Sequence, residues 1–209
     1  MLSKGENMLI LALDTSSSAV SVALLDEEKV LAYREQIMDR GQGEALVPII
    51  ADVLDQAKRK TTDITGVAVA IGPGSFTGVR VGLSTARGIG LALNIPVYGV
   101  TNFEAVAYGL LKPIKIVLDT KRGDYFTQDF DESGCPISNP KTQTSDDLKS
   151  LLPFTAIGDG AEKLSQEIGC NIIQKISPSA VSIAKIAISR SAHPLPPEPL
   201  YLRDADVTI

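Results

Sequence analysis

Histidine occurs once in the 209 residues, at His193 beside a proline-rich tail. A zinc or iron site built on paired histidines is therefore excluded, and a Ser-His-Asp hydrolase would depend on that single residue. The two cysteines, Cys135 and Cys170, form no C-x-x-C pair and no metal-ligand spacing. They read as structural thiols of a reducing compartment. No basic run exceeds Lys58-Arg59-Lys60 and the formal net charge is -5, so unaided binding to nucleic acid lacks its electrostatic drive. The early apolar run "MLILAL" stops at Asp14, well short of the ~20 residues a membrane span needs. No secretory signal opens the chain. The sequence reads as cytoplasmic, without membrane contact, and the first seven residues as a leader before Met8.

One further absence concerns "GPGSFTGVRVGLSTARGIG", residues 72 to 90. It has the look of a glycine-rich phosphate loop entering a helix, but the P-loop lysine that neutralises phosphate charge is missing and the spacing is wrong. The dinucleotide fingerprint G-x-G-x-x-G fails as well: Gly72, Gly74 and Gly78 miss it by one residue, and no acid follows at the required distance.

What is present is a 44% hydrophobic chain with enough apolar surface for a real core. Residues 8 to 13, "SAVSVALLD" and "KVLAYREQI" predict three meandering strands. A helix is expected over 44 to 60, where Leu46, Ile50, Val53 and Ala57 recur at helical spacing. Pro48 implies either a later start or a bend. "ITGVAVAIG" predicts a doubly buried strand, 75 to 93 a second helix ending near Asn94 and Pro96, "PVYGV" a strand and "NFEAVAYGLL" a helix. This is an α/β layout with mixed strand order. The second half restarts alike: "IKIVLDT" at 114 to 120 echoes "LILALDT" at 9 to 15, which points to an internal duplication and two similar lobes. "DYFTQDF", then "FTAIGDGAEKLSQEI" and "SAVSIAKIAISR", predict a strand, a strand–turn–helix and a last helix. The tail "HPLPPEPLYLRDADV" is expected to run extended over the surface.

Within the second helix Gly78, Gly82, Ala86 and Gly90 are spaced by four, one stripe along a face where missing side chains admit another backbone. The glycines at 78, 82, 88 and 90 cost roughly 3 to 4 kcal/mol of helix propensity, and the offset comes either from the chain's own sheet or from a second subunit. Arg80, Ser84 and Arg87 form a polar ridge on the same helix, which is either a solvated face or an interface rim or phosphate contact. The acidic candidates lie in turns: Asp14 with Thr15 and Ser16, and Asp119 with Thr120 in the equivalent later position. Opposed turns of this kind can grip nucleotide phosphates with Mg²⁺ between them, or they are merely strand-end residues. The later turn "DTKRGD" is a poor cradle, and Asp159 in "IGDGA" adds negative charge.

"ILALDTSSSAVSVALLD", "VAVAIGPGSFTGVRVGLSTARGIGLALNIPVYGVTNFEAVA" and the closing "PLYLRDADV" resemble the TsaB family, the partner subunit of the bacterial system that makes threonylcarbamoyladenosine in tRNA. The resemblance covers most of residues 8 to 107 and is loose from 108 to 190. It implies an actin/Hsp70-like (ASKHA) α/β fold of two lobes with duplicated mixed sheets, here drawn as 1–103 and 104–209. It further implies a non-catalytic scaffold that pairs with a TsaD-type subunit. A TsaE-type ATPase joins the larger complex, tRNA is reached only through the complex, and a homodimer of the isolated chain is left open. The family's pairing surface is a bundle of the first two helices of each subunit, here 44 to 60 and 75 to 93. On that reading Leu46, Ile50, Val53, Ala57, Gly78, Gly82, Ala86 and Gly90 form the interface, and Asp14, Thr15, Ser16 and Asp119 are a vestigial phosphate loop. No catalytic residue and no metal ligand is expected, and no cofactor held by the chain alone, with ATP and Mg²⁺ belonging to the complex. Gln42 stands where many relatives carry a histidine. The competing function is a small ASKHA-type ATPase or kinase acting through Asp14 and Asp119. A protease relying on His193 is the third.

Overall fold

The computed structural model of the protein describes residues 8–38, 40–110, 112–173 and 177–203. The expected leader and residues 204–207 of the expected tail lie outside the described residues. The run after Met8 forms β1 (Leu9–Asp14), and a polar turn brings the chain back as β2 (Ala19–Asp26) and then β3 (Lys29–Ile37), an antiparallel meander. On the far side of β1, β4 (Gly66–Ala70) and β5 (Val97–Val100) add in parallel, giving the order β3-β2-β1-β4-β5. Parallel addition demands crossovers, and α1 (Gln42–Gln56) and α2 (Phe76–Leu93) supply them.

β1 and β4 are buried along their whole length, which is why they read as continuous apolar runs rather than alternating ones. α1 packs on β2 and β3, and α2 on β4, β1 and β5. Helix α1 begins at Gln42, earlier than expected, after Gly41 at φ 88°. Pro48 therefore lies inside it, on the exposed side, where it forfeits one bond to the carbonyl four residues back. Ser75 caps α2, its Oγ accepting from the Gly78 N–H at 3.2 Å, and Asn94 closes it in the left-handed conformation.

The second half repeats this order of events. β6 (Ile114–Asp119), β7 (Tyr125–Phe130) and β8 (Lys141–Gln143) form the antiparallel part. After α4 (Ser145–Lys149), β9 (Thr155–Ile157) pairs parallel to β6; after α5 (Ala161–Ile168), β10 (Asn171–Ile172) pairs parallel to β9. The order β10-β9-β6-β7-β8 is the first sheet's order read from the other edge. The echo of Leu-Asp-Thr therefore marks a true duplication of topology.

Each half ends in a helix, and each helix closes the sheet of the other half. α3 (Asn102–Ala107), which follows β5, packs on β6 and β7, whereas α6 (Ala180–Ser189), which follows β10, packs on β1, β2 and β4. One compact unit accordingly holds the chain through Thr101 together with Ser179–Pro199, and the other holds Asn102–Pro178 together with the chain from Leu200. The division differs from the continuous lobes 1–103 and 104–209, because Ile183, Ala184 and Ala187 of the last helix bury against the first sheet. The tail follows the first unit as far as Pro199. Gly99 N–H donates to the Leu195 carbonyl at 2.9 Å, and the Arg190 guanidinium donates to the Gly99 carbonyl at 2.9 Å.

Candidate functional site

The β1–β2 turn is a closed polar knot. Asp14 is 1% exposed. Its Oδ1 accepts from the Ser16 N–H at 2.8 Å and the Ser16 hydroxyl at 2.5 Å, and its Oδ2 accepts from the Ser17 hydroxyl at 3.0 Å. Burial pushes its carboxyl above the ordinary carboxylate value, although the bonds from Ser16 and Ser17 pull the other way. The knot is tied to the glycine-rich stretch. Thr15 Oγ1 donates to the Gly78 carbonyl at 2.6 Å, and the Ser75 N–H donates to the Ser16 carbonyl at 2.8 Å.

Here the glycines find their partner. A Cβ at Gly74 would sit 2.4 Å from the Ser16 carbonyl oxygen, one at Gly78 2.0 Å from the Thr15 carbonyl oxygen, and one at Gly82 2.8 Å from Thr15 Oγ1. At Gly90 it would meet Val97 Cγ2 at 2.4 Å. Gly78, Gly82, Ala86 and Gly90 are buried against their own turn and strands, so they cannot also form an intersubunit seam. The same correction holds for α1: Leu46, Ile50 and Val53 are buried in the first unit's core, and half-buried Ala57 caps the helix end. The chain's own fold takes seven of these eight positions, Ala57 being half-buried, since an amphipathic helix turns its apolar stripe inward.

A different set faces outward. On α1 these are Gly43, Val47 and Ala51, and on α2 Ser84, Gly88 and Leu91, with Val47 63% and Leu91 86% exposed. The two helices touch near their starts, where a Cβ at Gly43 would lie 3.8 Å from Val81 Cγ2. Gly88 has no atom within 4 Å of its would-be Cβ. The polar ridge is exposed too. Arg80 stacks on the Phe76 ring at 3.7 Å, and Arg87 donates to the Pro197 carbonyl. The sequence signal for this face was the one glycine out of step with the spacing of four.

The β6–β7 turn differs in kind. Burial alone would raise the Asp119 carboxyl, but the Lys121 N–H at 2.8 Å and the charges of Lys121 and Lys163, at 3.3 and 3.5 Å, outweigh it and hold it below the ordinary value. Asp119 N–H donates to Asp159 Oδ1 at 3.0 Å, and Thr120 Oγ1 donates to the Asp124 carbonyl at 3.0 Å. Among the described residues, no group of three histidine, cysteine, aspartate or glutamate side chains is placed to hold a metal ion.

The two turns differ in what they offer a magnesium ion or a nucleotide phosphate. At the first, both oxygens of Asp14 are engaged and glycine Cα atoms press on the turn backbone. At the second, Lys121 and Lys163 already occupy Asp119. Among the described residues no helix is long and apolar enough to cross a membrane.

Two units built on one mixed-sheet plan, each with a glycine-bearing helix start against its first hairpin, define the class: an actin-like ASKHA fold. Component A of the Acidaminococcus fermentans (R)-2-hydroxyglutaryl-CoA dehydratase superposes with TM-score 0.53 at 12% identity, over 88% of this chain and 99% of that one, a likeness of fold alone. YeaZ from Pseudomonas aeruginosa superposes far better, TM-score 0.78 at 23% identity over 93% of this chain and all of that one. The family model described as TsaD, tRNA N6-adenosine threonylcarbamoyltransferase, matches residues 36–194. The tRNA threonylcarbamoyladenosine biosynthesis protein TsaB of Escherichia coli K12 is 34% identical over 134 residues, which is 61% of this chain and 58% of that protein. The chain thus spans less than two thirds of that relative. The chain belongs to the family that the matching family model describes.

Proposed function

We propose that the chain is the non-catalytic scaffold of a tRNA N6-threonylcarbamoyladenosine (position 37) transferase complex in the cytoplasm. It binds a TsaD-type subunit through the outward faces of α1 and α2 and holds that subunit in its active shape. A TsaE-type ATPase joins the assembly, tRNA is met only within it, and Mg²⁺ and ATP are needs of the complex rather than of this chain. The observation that carries the reading is Gly88. It sits in the middle of an 18-residue helix with nothing opposite it, at a propensity cost of about 1 kcal/mol that no contact inside the chain explains. Flanked by Ser84, Leu91 and the α1 residues Gly43, Val47 and Ala51, it makes an exposed face of mostly small side chains that lets two partner helices approach closely.

The competing ATPase reading through Asp14 and Asp119 draws no support from the geometry of either turn, and His193 lies exposed in the tail. The test is light scattering on a sizing column with the chain alone and mixed with the TsaD-type subunit of the same source. A species at the summed mass is expected, lost in Gly88→Trp. Two unassociated peaks, or a complex indifferent to Gly88→Trp, would refute the assignment of this face. A mass of twice the chain alone would reveal a homodimer.

A further inference from the structure

The first hairpin turn is a buried polar cluster, and the proposed scaffold function leaves it without a task. Its position, at the end of the first strand beside a glycine-rich helix entry, is where a phosphate cradle would be sought. Its hydrogen bonds say otherwise. The carboxylate of Asp14 points into its own turn and takes three donors from Ser16 and Ser17. The turn's outward-directed groups are also spoken for: the Thr15 hydroxyl and the Ser16 carbonyl both bond to the entry of α2, at the Gly78 carbonyl and the Ser75 N–H.

The contact surfaces agree with the bonds. Thr15 and Ser16 present carbonyl oxygens that fill the volumes where side chains at Gly74 and Gly78 would lie, and Thr15 Oγ1 fills the one at Gly82. Three glycines in nine residues are therefore cut to the outline of one turn. The Thr15 bond takes a helix carbonyl as acceptor, so it holds α2 sideways without competing for the helix's own N–H groups.

We infer that the β1–β2 turn is a socket that fixes the register and depth of α2, and that Asp14 is the positioning residue that shapes the socket. The consequence reaches the outer face, because the same rigid helix that inserts Gly78 and Gly82 inward presents Arg80, Ser84, Gly88 and Leu91 outward. A loosened socket lets the presented face shift, and pairing weakens although no residue of that face has changed. This consequence rests on the pairing face proposed above; the socket itself does not.

Asparagine separates a socket from an ion site. Asp14→Asn keeps one oxygen for the Ser16 N–H and hydroxyl and offers an amide to the Ser17 oxygen, so the turn keeps its shape, whereas a Mg²⁺-binding role needs the charge. Asp14→Ala strands three buried or part-buried donors. Thr15→Val keeps the side-chain shape and deletes only the bond to Gly78, and so decides the matter even if Asp14→Ala fails to fold. The primary measurement is amide hydrogen exchange over residues 76–86 of the intact protein. Exchange is expected to rise roughly tenfold or more in Asp14→Ala and Thr15→Val, the size of effect for a buried group losing its partner, and to return near wild type in Asp14→Asn. Calorimetry with Mg²⁺ and the analogue ADPNP is expected to give no heat that depends on Asp14. An Asp14→Asn variant as exchange-labile as Asp14→Ala overturns the socket, as does unchanged exchange in Thr15→Val. So does Mg²⁺–ADPNP binding that wild type shows and Asp14→Asn lacks. Affinity for the TsaD-type subunit should follow the exchange data; if wild type itself does not bind that subunit, the pairing reading fails while the exchange result still stands.

Discussion

Two identical substitutions ten residues apart in α2 should have opposite effects. At Gly78 an added methyl would lie 2.0 Å from the Thr15 carbonyl oxygen, 3.0 Å from its carbon and 3.3 Å from Ser16 Cα. All three are backbone atoms of a hydrogen-bonded turn, so no side chain can swing aside. The helix must withdraw by more than an ångström. That stretches the Thr15–Gly78 and Ser75–Ser16 bonds, at 2.6 and 2.8 Å, beyond useful length. Overpacking costs typically about 1 to 3 kcal/mol and each forfeited bond about 1 kcal/mol, against about 1 kcal/mol gained in helix propensity, so Gly78→Ala should destabilise by roughly 2 to 4 kcal/mol. At Gly88 the same methyl meets nothing within 4 Å and helix propensity improves by about 1 kcal/mol. Thermal unfolding followed by circular dichroism resolves the difference, because each kcal/mol shifts the melting temperature of a chain this size by about 2 to 4 °C. If Gly78→Ala unfolds no more easily than Gly88→Ala, the turn does not hold the helix and the account of α2 is wrong.

Other outcomes follow from the same contacts. Leu91→Glu, at a side chain 86% exposed, should change stability by no more than about 0.5 kcal/mol yet weaken pairing with the TsaD-type subunit at least tenfold; titration by calorimetry checks it, and an unchanged affinity removes α2 from the interface. Gly99→Ala places a Cβ 2.4 Å from the Pro196 carbonyl oxygen, so the tail should lift from β5 and limited proteolysis should cut after Arg190 much faster than in wild type. Because the folded Asp119 carboxyl is held below its ordinary 3.8, its ionised form contributes stability that is present above that pH and lost as pH falls through the lower folded value. Asp119→Asn should therefore flatten the acid limb of a stability profile below about pH 4; an unchanged limb would refute the ion pairs with Lys121 and Lys163.

The strands were legible because burial on both faces leaves a plain mark. "LILAL" and "GVAVA" are unbroken apolar runs, and β1 and β4 follow them closely. The two long helices were legible from period and punctuation, Ser75 and Asn94 bounding α2 within a residue. β8, α4 and β10 were not foreseen: they are three, five and two residues long, too short for any period to show. The lobe boundary failed for another reason. Which sheet a helix closes is a tertiary fact, and "SAVSIAKIAISR" has the same apolar pattern whichever sheet it covers. The site was half legible. Spacing by four isolated the right glycines but carried no information about what lay opposite them, and the inward stripe of an amphipathic helix was mistaken for its contact with a partner.

That error has a structural source in the duplication. In the second unit Gly158 and Gly160 press against the Val117 carbonyl oxygen and the Asp119 N–H, where added Cβ atoms would come within 2.3 and 2.9 Å. Glycines at the entry to the second helix, set against the first hairpin, are thus a property of the repeated plan and appear in both units whether or not a partner binds. They explain Gly74, Gly78 and Gly82 in the first unit as they explain Gly158 and Gly160 in the second. What the plan does not explain is any glycine on the opposite side of the helix. α5 is eight residues long and contains no glycine, whereas α2 is 18 residues long and carries Gly88 on its exposed face. Subtracting the features common to both units leaves the additional length of α2 and its outward glycine, and those are the features a binding surface for a second protein would need.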